Sequence, residues 1–233
     1  MKVAVAAGKG GTGKTMIAVN LALALSAGGS RVRYLDLDVE EPNGGLFLSP
    51  SFEEEADVFM RVPVIDEARC DLCGDCARFC AFGALSITPR GSMIFPELCH
   101  DCGGCQMVCR RDAVTWEKRH IGIVERGRTP GGIDVIQGKL DVGEPKATPV
   151  IHAVKALADP LAVNILDCGP GTGCAVMASV RGADHCILVT EPTPFGLHDL
   201  RMAGRMVRDL GVDGSVVINK DDPQETSVRD FCK

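Results

Sequence analysis

The sequence predicts an α/β protein: a doubly wound, mostly parallel sheet interrupted by a small α+β insert. Three observations carry that expectation. Short apolar runs alternate with helix-like segments, the pattern of a parallel sheet covered on both faces. A glycine-rich loop, Gly8 to Thr15, directly follows the first apolar run. Eight of the twelve cysteines crowd between Cys70 and Cys109 and split the alternating pattern in two.

Taken in order, Met1 to Ala7 is apolar and runs straight into the glycine-rich loop, so it reads as a first strand. A helix follows from Lys14 to Ala27, with Ile17, Leu21 and Leu25 on one face. Gly28-Gly29 ends it. Arg31 to Leu37 is a second strand, and the chain from there to residue 60 reads as loop. Thr148 is the expected N-cap of a helix reaching about Ala158, with Pro149 at its first position. Val163–Leu166, Cys186–Val189 and Ser215–Ile218 read as further strands, and Gly196–Leu210 as a helix between the last two. The expected organisation is one discontinuous domain, 1–60 and 120–233, with an inserted domain at 61–119.

Composition narrows the function. A chain of 233 residues can hold one α/β domain and a small insert. Its 45% hydrophobic content supplies a core, and with only 4% aromatics that core must be mostly Val, Ile, Leu and Ala. A net charge of −6 argues against a broad nucleic-acid footprint. The apolar start is too short for a secretory signal, and no run approaches the roughly 18 apolar residues of a membrane span. A cytoplasmic protein that engages neither nucleic acid nor membrane is expected. In that setting clustered cysteines point to a metal or cluster rather than to disulfides.

Gly8-Lys9-Gly10-Gly11-Thr12-Gly13-Lys14-Thr15 satisfies the phosphate-loop pattern G-x-x-x-x-G-K-[ST] between a predicted strand and a predicted helix. Glycines there let backbone N–H groups turn inward onto phosphate oxygens, and the helix N-terminus adds its positive dipole end. Lys14 is expected on the β- and γ-phosphates of ATP, and the Thr15 hydroxyl on Mg²⁺.

Cys70, Cys73, Cys76 and Cys80 form C-x₂-C-x₂-C-x₃-C, and Cys99, Cys102, Cys105 and Cys109 repeat the spacing at a constant offset. At that same offset Ala84-Leu85-Ser86-Ile87 repeats as Ala113-Val114-Thr115-Trp116. This is a duplicated ferredoxin pattern with two [4Fe–4S] sites. Three closely spaced thiolates wrap three corners of a cubane, and the short loop is too tight to supply the fourth. Cys109 is therefore expected to join Cys70, Cys73 and Cys76, and Cys80 to join Cys99, Cys102 and Cys105. The competing occupant is structural zinc. The fourth cysteines are followed by Ala81 and Arg110 where such motifs usually carry proline.

Lys9, directly after the first loop glycine, is similar to the signature lysine of the deviant-Walker MinD, ParA and nitrogenase iron-protein class. Asp36-Leu37-Asp38-Val39-Glu40-Glu41-Pro42-Asn43 resembles switch I of that class, Asp167-Cys168-Gly169 its switch II, and Asn219-Lys220-Asp221 its adenine segment. With the doubled cysteine motif, and with Gly143-Glu144-Pro145 and Thr190-Glu191-Pro192-Thr193-Pro194-Phe195-Gly196, the chain resembles MinD-superfamily P-loop ATPases with an inserted ferredoxin domain, relatives of the Mrp-type iron–sulfur carriers. The resemblance covers nearly the whole chain, although relatives continue past the Asn-Lys segment.

The resemblance implies roles. Gly8, Lys9, Gly10, Gly11, Thr12, Gly13, Lys14, Thr15, Gly169 and Asn219 would bind ATP or ADP, with the Gly169 amide sensing the γ-phosphate. Thr15, Asp36 and Asp167 would hold Mg²⁺, partly through water. Asp38 would position the attacking water, and Lys9 would reach the nucleotide of a second protomer in an ATP-dependent homodimer. The implied function is slow ATP hydrolysis that gates electron transfer, or iron–sulfur cluster delivery, toward a redox partner or an apo recipient protein. The alternatives are a positioning ATPase like MinD and ParA, a relative of the cobyrinic-acid amidoligases, and a non-hydrolysing nucleotide- and cluster-binding module.

Overall fold

In the computed structural model, which describes residues Met1–Lys233, the first half of the chain runs β1 (Lys2–Ala7), α1 (Lys14–Ala27), β2 (Val32–Leu37), α2 (Gly44–Leu48), β3 (Ser51–Ile65), α3 (Asp75–Phe79), β4 (Leu85–Thr88), β5 (Gly91–Ile94) and α4 (Gly104–Met107). It continues through β6 (Val114–Arg128), β7 (Asp134–Leu140), α5 (Thr148–Ala156), β8 (Val163–Pro170), α6 (Cys174–Val180), β9 (His185–Thr190), α7 (Pro194–Asp209), β10 (Gly214–Ile218) and α8 (Ser227–Phe231). Two compact units result. One comprises Met1–Asp57, Gly122–Asp141 and Lys146–Lys233, the other Val58–Ile121 and Val142–Pro145. The Val142–Pro145 segment joins the second unit, where Arg119 Nη1 donates to Glu144 Oε2 at 2.6 Å.

The larger unit is built on a sheet of order β10-β9-β1-β8-β2-β7-β6-β3. Its central pairs, β9–β1, β1–β8, β8–β2 and β2–β7, are parallel, whereas β6 runs antiparallel to β7. Flanked on both sides, β1 buries every residue from Val3 to Ala7. On α1 the deepest positions are Ala18, Val19 and Ala22, and Ile17, Leu21 and Leu25 pack around them half-buried. Small residues at the contact line let the helix approach the sheet, and the leucines fill its flanks.

Three strands depart from the sequence reading, which left residues 51–60 as loop and 120–147 unassigned. β3 begins with Ser51 to Asp57, all exposed, as an edge strand carrying Glu53, Glu54, Glu55 and Asp57. Charge on an edge blocks further pairing and erases the apolar signal by which strands are recognised. The helix at 148 also starts differently. Its N-cap is Ala147, already at φ −68° and ψ −30°, and Thr148 makes no capping hydrogen bond. The Thr-Pro cap forms instead at α7, where Thr193 is extended at φ −127° and ψ 155° and its hydroxyl accepts from the Gly196 amide.

The smaller unit carries the cysteines and is internally repeated. Gly74 and Gly103, equivalent positions of the two cysteine repeats, both precede a short helix in the left-handed region, at φ 76° and 78°. Asp66 N donates to Ala113 O at 2.7 Å, and Phe95 N donates to Ala84 O at 2.9 Å. The two donors are equivalent positions of the repeats, as are the two acceptors. Both bonds therefore cross between the repeats, one in each direction, so the shared pattern ties the two halves together reciprocally. Val62, Ile65, Ala84, Leu85 and Val114 form its core together with Cys76, Cys99 and Cys105.

Candidate functional site

The parallel strands of the larger unit deliver three charged or polar side chains to the foot of the loop between β1 and α1. β2 brings Tyr34 and Asp36, β8 brings Asp167, and Asp36 and Asp167 are register partners. Lys14, on the first turn of α1, is buried and places Nζ 2.8 Å from Asp167 Oδ1, 3.2 Å from Thr15 Oγ1 and 3.9 Å from Asp38 Oδ2. Burial alone would lower the Lys14 pKa, but Asp167 and Asp38 raise it above the usual lysine value. Asp36 is fully buried and accepts from the Asp38 amide at 3.1 Å and the Gly44 amide at 2.9 Å. Burial, and then the adjacent Asp167, push its carboxyl up to about 7. Asp38 is also raised, first by burial, with Lys14 opposing and Asp167 adding to the shift.

The loop itself suits an anion. Gly13 sits at φ 91°, and a Cβ there would fall 2.3 Å from Asn219 Nδ2. That amide donates to Thr12 O at 2.8 Å, which ties the end of β10 to the loop. Space is open around Gly10 and Gly11. Thr12 is buried, yet its hydroxyl has no hydrogen-bond partner, an orphan that a bound oxyanion satisfies. A Cβ on Gly169 would lie 3.5 Å from Asp38 Oδ1, so the two switch-like segments adjoin. Lys9 lies at the loop's rim, with Nζ 3.4 Å from Glu191 Oε2, and Lys220 holds the other Glu191 oxygen at 2.6 Å. Lys220 and then Lys9 draw the Glu191 pKa down.

The family model of the CobQ/CobB/MinD/ParA nucleotide binding domain matches residues 3–233. The chain belongs to this family. An uncharacterized protein of Methanocaldococcus jannaschii, MJ0579, is 31% identical over 229 residues, spanning 94% of this chain and 80% of that protein. An iron-sulfur cluster carrier protein of Pyrococcus abyssi is 28% identical over 222 residues, spanning 93% of this chain and 60% of the carrier. Among solved structures, the septum site-determining protein MinD of Pyrococcus horikoshii, complexed with Mg-ADP, superposes with a TM-score of 0.56 at 18% identity, covering 100% of this chain and 77% of that one. At that identity the likeness is one of fold. No helix is long and apolar enough to cross a membrane.

In this CobQ/CobB/MinD/ParA family member the smaller unit holds two cysteine-lined cavities. One cavity there is lined by Cys70, Cys73, Cys76 and Cys109, together with Asp71 and Arg111. A second is lined by Cys80, Cys99, Cys102 and Cys105, together with His100 and Trp116. Each cavity thus joins three cysteines of one repeat with the fourth of the other. The Ala84 amide donates to Cys80 Sγ and the Ala113 amide to Cys109 Sγ, both at 3.3 Å. All eight sulfurs are free thiols. Burial raises the Cys76 thiol, and it pushes Cys105 up to about 11.

Sequence reasoning missed Tyr34, Glu191 as the partner of Lys9, and the Asp71–Arg111 pair, which closes at 2.8 Å. Tyr34 carried a usable signal: it stands two residues before Asp36 on the same strand and so shares its face. Arg111 carried none, because its partner is remote in the chain.

Proposed function

We propose that this chain is an ATP-hydrolysing iron–sulfur protein in which nucleotide binding gates electron transfer or cluster delivery. The observation that carries the reading is the interleaved lining of the two cysteine cavities. Four thiols, an apolar surround and backbone amides already directed at sulfur suit a [4Fe–4S] cluster in each cavity, held in a ferredoxin-like insert. When bound, such clusters take up and release single electrons. The cysteines' part is to lose their protons and hold, so loading is favoured as pH rises.

At the other site, Lys14 leaves Asp167 and Asp38 for the phosphates of ATP while the loop amides and the Thr12 hydroxyl face the phosphate oxygens. Thr15, Asp36 and Asp167 are the residues that would hold Mg²⁺, partly through water. Asp38, freed of Lys14, orients a water in line with the γ-phosphorus. The water oxygen bonds to that phosphorus as the bond to ADP breaks, leaving ADP and inorganic phosphate. Lys9 exchanges Glu191 for the nucleotide of a second protomer, which couples ATP to homodimer formation, and a redox partner or apo recipient then meets the smaller unit.

Anaerobic purification tests the proposal, with iron and sulfide counted and ATP hydrolysis measured with and without a low-potential reductant. About eight irons per chain with reductant-sensitive hydrolysis is the expected result. Zinc in place of iron in protein never exposed to air would sink the redox reading. Iron without hydrolysis would leave a nucleotide- and cluster-binding module, and hydrolysis without iron would favour a positioning ATPase.

A further inference from the structure

We infer that Tyr34 is a positioning residue for the metal-binding carboxylate: it pins one oxygen of Asp167 so that the other is released to the cation when Lys14 departs. The inference rests on the nucleotide reading above. Asp167 is fully buried, and both of its oxygens are engaged, Oδ1 by Lys14 Nζ at 2.8 Å and Oδ2 by the Tyr34 hydroxyl at 2.6 Å. The two donors differ in freedom. Lys14 ends a flexible four-carbon stem beside an open loop, and phosphate competes for it. Tyr34 is fully buried. Its ring is covered by Gly44, where a Cβ would fall 2.5 Å from the ring and its hydroxyl. Gly44 is itself tied by its amide to Asp36 Oδ2.

Departure of Lys14 would leave two buried carboxylates, Asp36 and Asp167, facing each other across the β2–β8 register. Without a second donor, Asp167 would be free to turn away from Asp36, which removes a ligand for the cation. The phenol prevents this. It fixes the plane of the carboxylate, leaving Oδ1 as the free oxygen. Phenylalanine would fill the same space without the donor.

The test is a Mg²⁺ titration of wild-type and Tyr34→Phe protein, each saturated with a non-hydrolysable ATP analogue, and repeated in an Asp167→Asn background. Tyr34→Phe is expected to bind the Mg²⁺-free analogue like wild type, which also reports an intact fold, and to bind Mg²⁺ about ten-fold more weakly. In the Asp167→Asn background the same change should cost nothing further. Unchanged Mg²⁺ affinity with a lowered melting temperature would reduce Tyr34 to packing and overturn the inference alone. Failure of the wild type to bind the analogue would overturn the nucleotide reading and this inference together.

Discussion

The two units assemble their sites by opposite routes. Around the phosphate loop, Lys14, Tyr34, Asp36, Asp38 and Asp167 come from three segments of the chain and meet only because parallel strands end together. They form one network in which each charge sets the state of the next. In the smaller unit, both cavities take their cysteines from the single stretch between Cys70 and Cys109, and the same turn, helix and amide–sulfur contact are built twice. The first arrangement is cooperative and fragile; the second is modular, apart from the single cysteine each half lends to the other.

The largest expected effect lies in the network. Lys14→Ala should abolish measurable ATP binding by calorimetry. It also strands Asp167 beside Asp36, so the apoprotein should lose about 3–5 kcal/mol of stability in denaturant unfolding. Asp38→Ala is the control, expected to keep binding and lose hydrolysis. Loss of binding in both variants would make Asp38 a structural or metal-holding residue.

Modularity predicts a smaller, divided effect. Cys109→Ser should remove the cluster held with Cys70, Cys73 and Cys76 and leave the one beside Trp116, halving the iron in anaerobic protein. Spectra showing loss of the cluster of its own sequence neighbours, Cys99, Cys102 and Cys105, would reverse the pairing.

A pH experiment sharpens the contrast. The Asp36 carboxyl titrates near 7 in the folded protein and near 3.8 when exposed. The folded state therefore holds that proton more tightly. The resulting stabilisation is fully present below about pH 4 and is lost as pH rises through about 7, with a ceiling on the order of 4 kcal/mol. Stability of nucleotide-free, metal-free protein should fall more steeply over that window in wild type than in Asp36→Asn. Parallel slopes would show that burial of Asp36 does not govern its charge.

The smallest change in stability belongs to the loop's rim. Lys9–Glu191 is a partly exposed pair, so Lys9→Ala should alter stability by less than about 1 kcal/mol. Nucleotide binding should persist, but the rise in dimer fraction that ATP is expected to cause in wild type, measured by sedimentation, should be absent. A Lys9→Ala protein that still dimerises with ATP would confine Lys9 to its own protomer.

The phosphate loop, α1 and the central strands were legible in the sequence because each rests on a local pattern: a glycine spacing, a helical period, an apolar run. The cysteine offset was legible for the same reason. β3, β6 and β7 were not, since an acidic edge strand and its neighbours carry no such pattern. The two Thr-Pro steps show the limit most clearly. Thr148-Pro149 and Thr193-Pro194 look alike on paper, yet only Thr193 has the extended backbone a cap needs. Tertiary context made that choice, as it did in bringing Tyr34 under Asp167.

The chain contains one tyrosine and one tryptophan, and the fold has separated them. Tyr34 lies in the larger unit, bonded to Asp167. Trp116 lies in the smaller one, its indole nitrogen donating to Gln106 Oε1 at 2.8 Å and its ring 5.2 Å from the Arg61 guanidinium, at the edge of the second cysteine cavity. Each unit thus carries its own intrinsic chromophore. Red-edge excitation sees Trp116 alone, and an iron cluster beside it would quench its emission. Difference absorbance of the phenol would follow Lys14 leaving Asp167. Nucleotide arrival and cluster loading can therefore be watched separately, in one unlabelled sample, by light.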